Sequence, residues 1–404
     1  MKTATGCDAH ATVLFGAFDR HNAGDLLLAH VVGRLLARPG IHYAGLATRD
    51  LTACGGHSVI ALPRLAGMLG PMPVDIVHVG GEILTCGAWE AAVMLQSGEE
   101  AGAIIARLDD RPVERAAWAA SCLGLADRAP YVLPEGLFRN VRRVDFHGIG
   151  GIDLDRRDPV MRAEVAGKLA SATRVGVRDG QTLALLEKSG VACRLEPDPA
   201  VMVAHLFGPR IRHRARHGEL VRTLSAFPHG YLAFQCSADF GDDDTLARLA
   251  AQLERFTTAH GLGVVMFRAG AAPWHDDPAC YHRLASRMRG TLVALFGSLD
   301  LWDICAVIAH SRLHAGSSLH GSIVAGAFAL PHVGLLRPGQ SPQASKQVAF
   351  ATTWGTAGAP AAVPVDALAE GMEAALASDP SERERLARDR VAAFRASFRL
   401  DRQR

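Results

Sequence analysis

Lysine is nearly missing from this chain: only Lys2, Lys168, Lys188 and Lys346 are present, against 39 arginines. The arginine excess reads as a GC-rich coding bias, which makes a loop lysine such as Lys346 the more informative cation. A surplus of basic charge is also absent. Net charge is +2, without the basic face of a nucleic-acid binder, so no nucleic-acid partner is expected. No apolar run reaches the ~18 residues that cross a bilayer, so no transmembrane segment is expected. The opening MKTATGCDAH lacks the apolar core of a signal peptide, which points to a cytoplasmic protein. Cysteines stand at 7, 54, 86, 122, 193, 236, 280 and 305, with no CxxC spacing. Scattered reduced thiols fit better than disulfides or a zinc site. No HExxH, GxSxG, Walker lysine or histidine–carboxylate spacing occurs, so neither a metal nor a resident cofactor is expected.

Apolar residues, by contrast, are plentiful: 49% hydrophobic against 21% charged, the balance of a globular protein. At 404 residues the chain exceeds the ~250–300 that one core sustains, so two domains are expected. Strands are predicted at 12–18, 41–47, 74–79, 131–133, 144–147, 174–177 and 191–195. Helices are predicted after Asp25, read as an N-cap, and over 88–108 and 179–189. The basic segment 205–217 (HLFGPRIRHRARH) reads as the boundary between an N-terminal domain, 1–205, and a C-terminal domain, 206–404. A second series follows, with strands at 231–236, 263–267, 291–296 and 332–335. Its helices fall at 243–260, 278–288, 300–309, 323–329, 365–377 and 381–398. Strands alternating with helices imply parallel, doubly wound sheets, with ligands at the carboxyl ends of the strands. The fold class is therefore α/β: two Rossmann-like domains, glycosyltransferase-B-like, around an interdomain cleft.

Two loops stand out. Asp19-Arg20-His21-Asn22-Ala23-Gly24-Asp25 joins the first strand to its helix, where free amides favour anions. It is equally a turn followed by a capped helix. Ala315-Gly316-Ser317-Ser318-Leu319-His320-Gly321 leads into an apolar helix. Its small residues leave amides open to a phosphate or carboxylate, and His320 in the first turn is placed for proton transfer. Ser311-Arg312-Leu313-His314 pairs arginine with histidine, or is a solvated charge. Weaker candidates are Glu82 after Gly80-Gly81, Arg178-Asp179, Asp198 in EPDPAV, Gln235 and Arg268 at strand ends, and Lys346. His229 and His275 read as surface loop histidines.

Taken in order, GAFDRHNAGDLLLAH, VHVGGEIL, VGVRDGQT, EPDPAV, DICAVIAHSRLHAGSSLHGSIVAGAFALPHV and SKQVAF resemble the polysaccharide pyruvyl transferase family. That resemblance implies transfer of a pyruvyl group from phosphoenolpyruvate, a donor substrate rather than a cofactor, to a saccharide hydroxyl. His320 matches the motif histidine. Many members carry arginine two residues earlier, where this chain has Ser318. The R-L-H at 312–314 precedes the helix and does not align. The resemblance thus implies that Arg178, Arg268 or Lys346 grips the acidic donor, with Ser317 and Ser318 on its anionic groups and Asn22, Gly24 and Asp25 facing the acceptor. The competing readings are a nucleotide-sugar-dependent glycosyltransferase and a non-catalytic binding module of the same fold. The sequence carries no sign of oligomeric state.

Overall fold

The computed structural model describes residues 10–355 and 361–399. The first sheet comprises β1 (Ala11–Phe15), β2 (Ile41–Gly45), β3 (Arg49–Asp50), β4 (Ser58–Ala61), β5 (Val74–His78), β6 (Val141–Ile149), β7 (Arg174–Val177) and β8 (Arg194–Leu195). Its order is β3-β4-β2-β1-β5-β6-β7-β8, and only the β3–β4 pair is antiparallel. The second sheet comprises β9 (Tyr231–Gln235), β10 (Gly263–Phe267), β11 (Val293–Phe296), β12 (Leu313–Gly316), β13 (His332–Leu335) and β14 (Ala362–Val363). It is wholly parallel, in the order β11-β10-β9-β12-β13-β14. Strands β1, β5, β9 and β10 are buried along their whole length, as parallel strands covered on both faces are. Two Rossmann-like units in series result, as the alternation predicts.

Several local expectations change. Residues 131–133 form no strand. Tyr131 and Val132 are instead core side chains, and the Tyr131 hydroxyl donates to Asp19 Oδ1 at 2.8 Å. The helical stretch 88–108 is two helices, Ala88–Met94 and Gly98–Leu108, separated where Ser97 forms a capping box with Glu100. Strand β12 escaped prediction because Leu-His-Ala-Gly has little β propensity, although it lies in the middle of its sheet. Helix α1 (Ala23–Leu36) is capped by Asn22 and not Asp25: Asn22 Oδ1 accepts from the Gly24 amide at 3.0 Å. The basic segment after residue 205 falls mostly within helix α2 (Val203–Arg214).

One hydrophobic cluster serves both sheets. It joins Leu26 and Val31 of α1 and Ile211 of α2 to Trp302 and Ile308 of α3 (Leu301–Ala309) and to Leu319 and Ile323 of α4 (Leu319–Ala327). Phe394 and Phe398 of the last helix, Pro380–Arg399, join the same cluster. Polar seams run alongside. The Ala23 amide donates to Ala269 O at 2.8 Å, the Ala271 amide to His21 O at 3.1 Å, and His21 Nε2 to Leu299 O at 2.8 Å. Arg214 Nε donates to Asp303 Oδ1 at 2.6 Å.

Trp302 sits at the centre of this shared core, 1% exposed, with the Arg210 guanidinium 4.0 Å from its ring centroid. Trp302→Ala should cost about 3–5 kcal/mol. Denaturant unfolding should remain a single transition by both far-UV circular dichroism and tryptophan emission, since neither sheet keeps a complete core alone. Separate transitions for the two sheets would contradict the shared core.

Candidate active site in the interdomain cleft

The direction of winding reverses in each sheet, between β1 and β5 in the first and between β9 and β12 in the second. Ligands of open parallel sheets bind outside the strand ends at such points. Here the two points face each other. A cavity of about 330 Å³ between them is lined by Asn22, Glu82 and Ile152 from the first unit and by Gln235, Ser317, Ser318 and His320 from the second.

Its floor is the start of α4. Ser318 caps that helix, its Oγ accepting from the Gly321 amide at 3.2 Å. The Ser318 amide donates to Gln235 Oε1 at 2.9 Å, and Ser317 Oγ accepts from the Ser237 amide at 3.0 Å. Both hydroxyls therefore hold the loop in shape. The amides of Leu319 and His320, in the first turn, have no intrahelical acceptor and mark the positive end of the helix. Lys346 opens α5 (Lys346–Trp354) at the rim, with Ser345 as cap. Its side chain meets water, yet crowding by the cleft walls lowers its pKa; Glu82 and Asp25 oppose the shift, and Arg178 and Arg337 add to it.

A chain of buried charge reaches His320 from the other side. Glu82 Oε2 lies 2.5 Å from Arg178 Nη2, and Arg178 Nη1 lies 3.1 Å from Asp198 Oδ2. The same Asp198 oxygen is 3.4 Å from His320 Nε2. Burial alone would raise Asp198, but His320, Arg178 and the Ala200 amide together hold its pKa below the usual carboxylate range. Two glycines make room for this assembly. A Cβ on Gly24 would stand 2.0 Å from His320 Nδ1, and one on Gly150 would stand 2.5 Å from Glu82 Oε2.

The wall after β10 is built on Asp276. Its carboxylate accepts from Gln235 Nε2 at 2.7 Å and from the Ala269 amide at 2.6 Å. His275 Nε2 lies 3.1 Å from Asn22 Nδ2, and its Nδ1 lies 3.1 Å from Pro273 O. Burial lowers His275 to about 4, so the ring is neutral, Nδ1–H donating to Pro273 while Nε2 accepts from Asn22. His275 is thus an interdomain contact and not the surface histidine its loop suggested.

Asn22, Ser317, Ser318, His320 and Lys346 come together on the cavity wall. Gly24 lies against the His320 ring instead, and Asp25 is buried with its carboxylate 3.8 Å from Arg20 Nη2. Arg178 is only 1% exposed, enclosed by Glu82 and Asp198, and does not line the cavity. Arg268 follows β10 close to His21, outside the cavity lining. His314 is a core residue on β12, and Arg312 is exposed at the opposite end of that strand. Sequence reasoning passed over Trp274, Asp276 and Arg337. Trp274 offered a signal, being one of five tryptophans and set in a polar loop at a strand's carboxyl end.

Two Rossmann-like units facing each other across a cleft that holds the polar site define the glycosyltransferase-B-like class. Residues 147–337 match the family model of the polysaccharide pyruvyl transferases. The matched stretch carries Arg178, Asp198, Gln235, Ser317, Ser318, His320 and Arg337, while Asn22, Glu82 and Lys346 lie outside it. No curated protein matches the chain. Among solved structures it is similar to HepE of Anabaena in complex with UDP-glucose (TM-score 0.53, 9% identity, covering 98% of this chain and 100% of that one). It is also similar to the UDP-GlcNAc 2-epimerase of Methanocaldococcus jannaschii in complex with UDP-GlcNAc and UDP (TM-score 0.51, 11% identity, covering 94% and 99%). At these identities the likeness is one of fold.

Asp276 gives the cleft a pH signature. Burial pushes its carboxyl up to about 7 from 3.8, against hydrogen bonds from Ala269, Gln235 and Gly270. As pH rises from about 4 to about 7 the unfolded chain ionises this group first, so its contribution to stability falls and then levels off. The unfolding free energy of Asp276→Asn minus that of wild type should therefore grow across that window. A difference that stays flat with pH would refute the assignment.

Proposed function

We propose that this cleft transfers a pyruvyl group from phosphoenolpyruvate to hydroxyls of a saccharide. One observation carries the reading: His320, paired with the buried, ionised Asp198, stands at the amino end of α4 inside a polar cleft rimmed by Lys346. The matched family description supports the same chemistry. The donor's phosphate and carboxylate need fixed positive partners, which the Leu319 and His320 amides and the Lys346 ammonium supply. Asp198 takes the Nε2 side of the imidazole, leaving Nδ1, which packs beside Gly24 with no side chain between them, to exchange protons.

The His320 imidazolium gives a proton to the methylene carbon C3, which becomes methyl. A saccharide oxygen bonds to C2 and returns its proton to the imidazole. The C2–O bond to phosphate breaks, and inorganic phosphate leaves. A second hydroxyl of the same sugar bonds to C2 to complete the ketal, its proton going to the departing phosphate.

The test is saccharide-dependent release of phosphate from phosphoenolpyruvate. His320→Ala should lower kcat by about 10²–10⁴-fold, the usual worth of general acid–base catalysis. Asp198→Asn should lower it as well while leaving donor affinity nearly unchanged. If the protein neither binds phosphoenolpyruvate nor releases phosphate with any saccharide, the reading fails. Ser318, standing where a donor-gripping arginine is common, favours the competing nucleotide-sugar reading, which would instead release a nucleoside diphosphate from UDP-glucose. Gly24→Ala should reproduce much of the His320→Ala loss, because its methyl displaces the imidazole without deleting it. Full activity in Gly24→Ala would remove Nδ1 from the mechanism.

A further inference from the structure

Trp274 is unlike every other tryptophan in the chain. It is 46% exposed and lines the cleft. Among the described residues no ring stacks on it, no cation lies over it and its indole N–H has no acceptor. Its backbone is also strained, with φ at 63°. A bulky residue in the left-handed region is an outlier that persists only where its surroundings enforce it, and such strain gathers at ligand sites.

The surroundings do enforce it. The His275 amide donates to Ala272 O at 3.1 Å, the Ala238 amide to His275 O at 2.8 Å, and the Asp276 amide to Gly270 O at 3.2 Å. The Asp276 carboxylate holds the Ala269 amide, and His275 is tied to Asn22 across the cleft. The loop is therefore rigid and well bonded, while the indole it presents has no stacking or hydrogen-bonding partner among the described residues.

We infer that Trp274 is the stacking platform for the saccharide acceptor, the apolar C–H face of one sugar ring lying flat on the indole. The inference rests on reading the cleft as a saccharide site. The remaining rim suits that ligand. Asp153, Ser237, Asp239 and Gln340 line the same cavity and offer carboxylate, hydroxyl and amide groups to the ring's hydroxyls. A nucleobase would also stack on an indole, and titration with UDP distinguishes that ligand from a saccharide.

The whole chain is titrated with lactose, cellobiose and chitobiose, and separately with UDP and with phosphoenolpyruvate, by tryptophan emission and by calorimetry. At least one disaccharide should shift the emission of wild type, and Trp274→Phe should abolish that shift while keeping the affinity within a few-fold. Trp274→Gly should weaken disaccharide binding about tenfold, or about 1.4 kcal/mol. Its melting temperature should match or exceed wild type, because glycine relieves the backbone strain. Phosphoenolpyruvate binding should be equal in all three proteins.

The platform is refuted if Trp274→Gly binds disaccharide as tightly as wild type, if its affinity falls only together with its melting temperature, if no disaccharide binds, or if UDP alone shifts the Trp274 emission. Disaccharide binding that depends on Trp274, in a protein that ignores phosphoenolpyruvate, would overturn the pyruvyl donor and leave the platform standing.

Discussion

A carboxylate sealed from water sets the terms of this cleft. Removing an ion from water costs several kcal/mol, and an unpaired charge at the position of Asp198 would not survive inside a fold. Asp198 is fully buried and still ionised because Arg178 and His320 approach it from opposite sides and the Ala200 amide donates to its second oxygen. Arg178 in turn is neutralised by Glu82. The four charged residues come from loops following β5, β7 and β8 and from the helix following β12. Their mutual dependence fixes four strand ends, in two sheets, against one another.

Because the pairing is mutual, the functional and structural roles of these residues are hard to separate by size of effect alone. Deleting Arg178 would leave Asp198 and Glu82 exposed to each other's charge in a dry interior, a defect of packing and solvation as much as of chemistry. His320 and Glu82 both have an edge on the open cavity, whereas Arg178 and Asp198 lie behind them. In the proposed mechanism Arg178 and Asp198 act through His320.

Much of this was legible in the chain. Residues 243–260 match an observed helix to the residue because apolar side chains recur at helical spacing between Asp242 and Gly261, and 263–267 match a strand because GVVMF is a short, unbroken apolar run. The loops before α1 and α4 were also legible, since small polar residues between apolar runs mark strand ends. Sequence could not show which cation meets the cavity. Arg178 and Lys346 carry the same sign, and only the fold puts one behind Asp198 and the other at the rim. The role of Gly24 was equally hidden, being a clearance set by a side chain about 300 positions away. Tyr131 misled because a short apolar run looks alike in a strand and in a packed loop.

The seam joining residues 21–23 to residues 269–272 and 299 bears on how such a site works. In a hinged enzyme the walls part and close at each cycle, and part of the ligand's interaction energy is consumed in ordering them. Here the walls are riveted along their base by main-chain bonds and share one apolar interior. Molecules entering past Asp153 and Arg337 meet a pocket whose shape was settled when the chain folded, so geometry is in place before the reactants arrive.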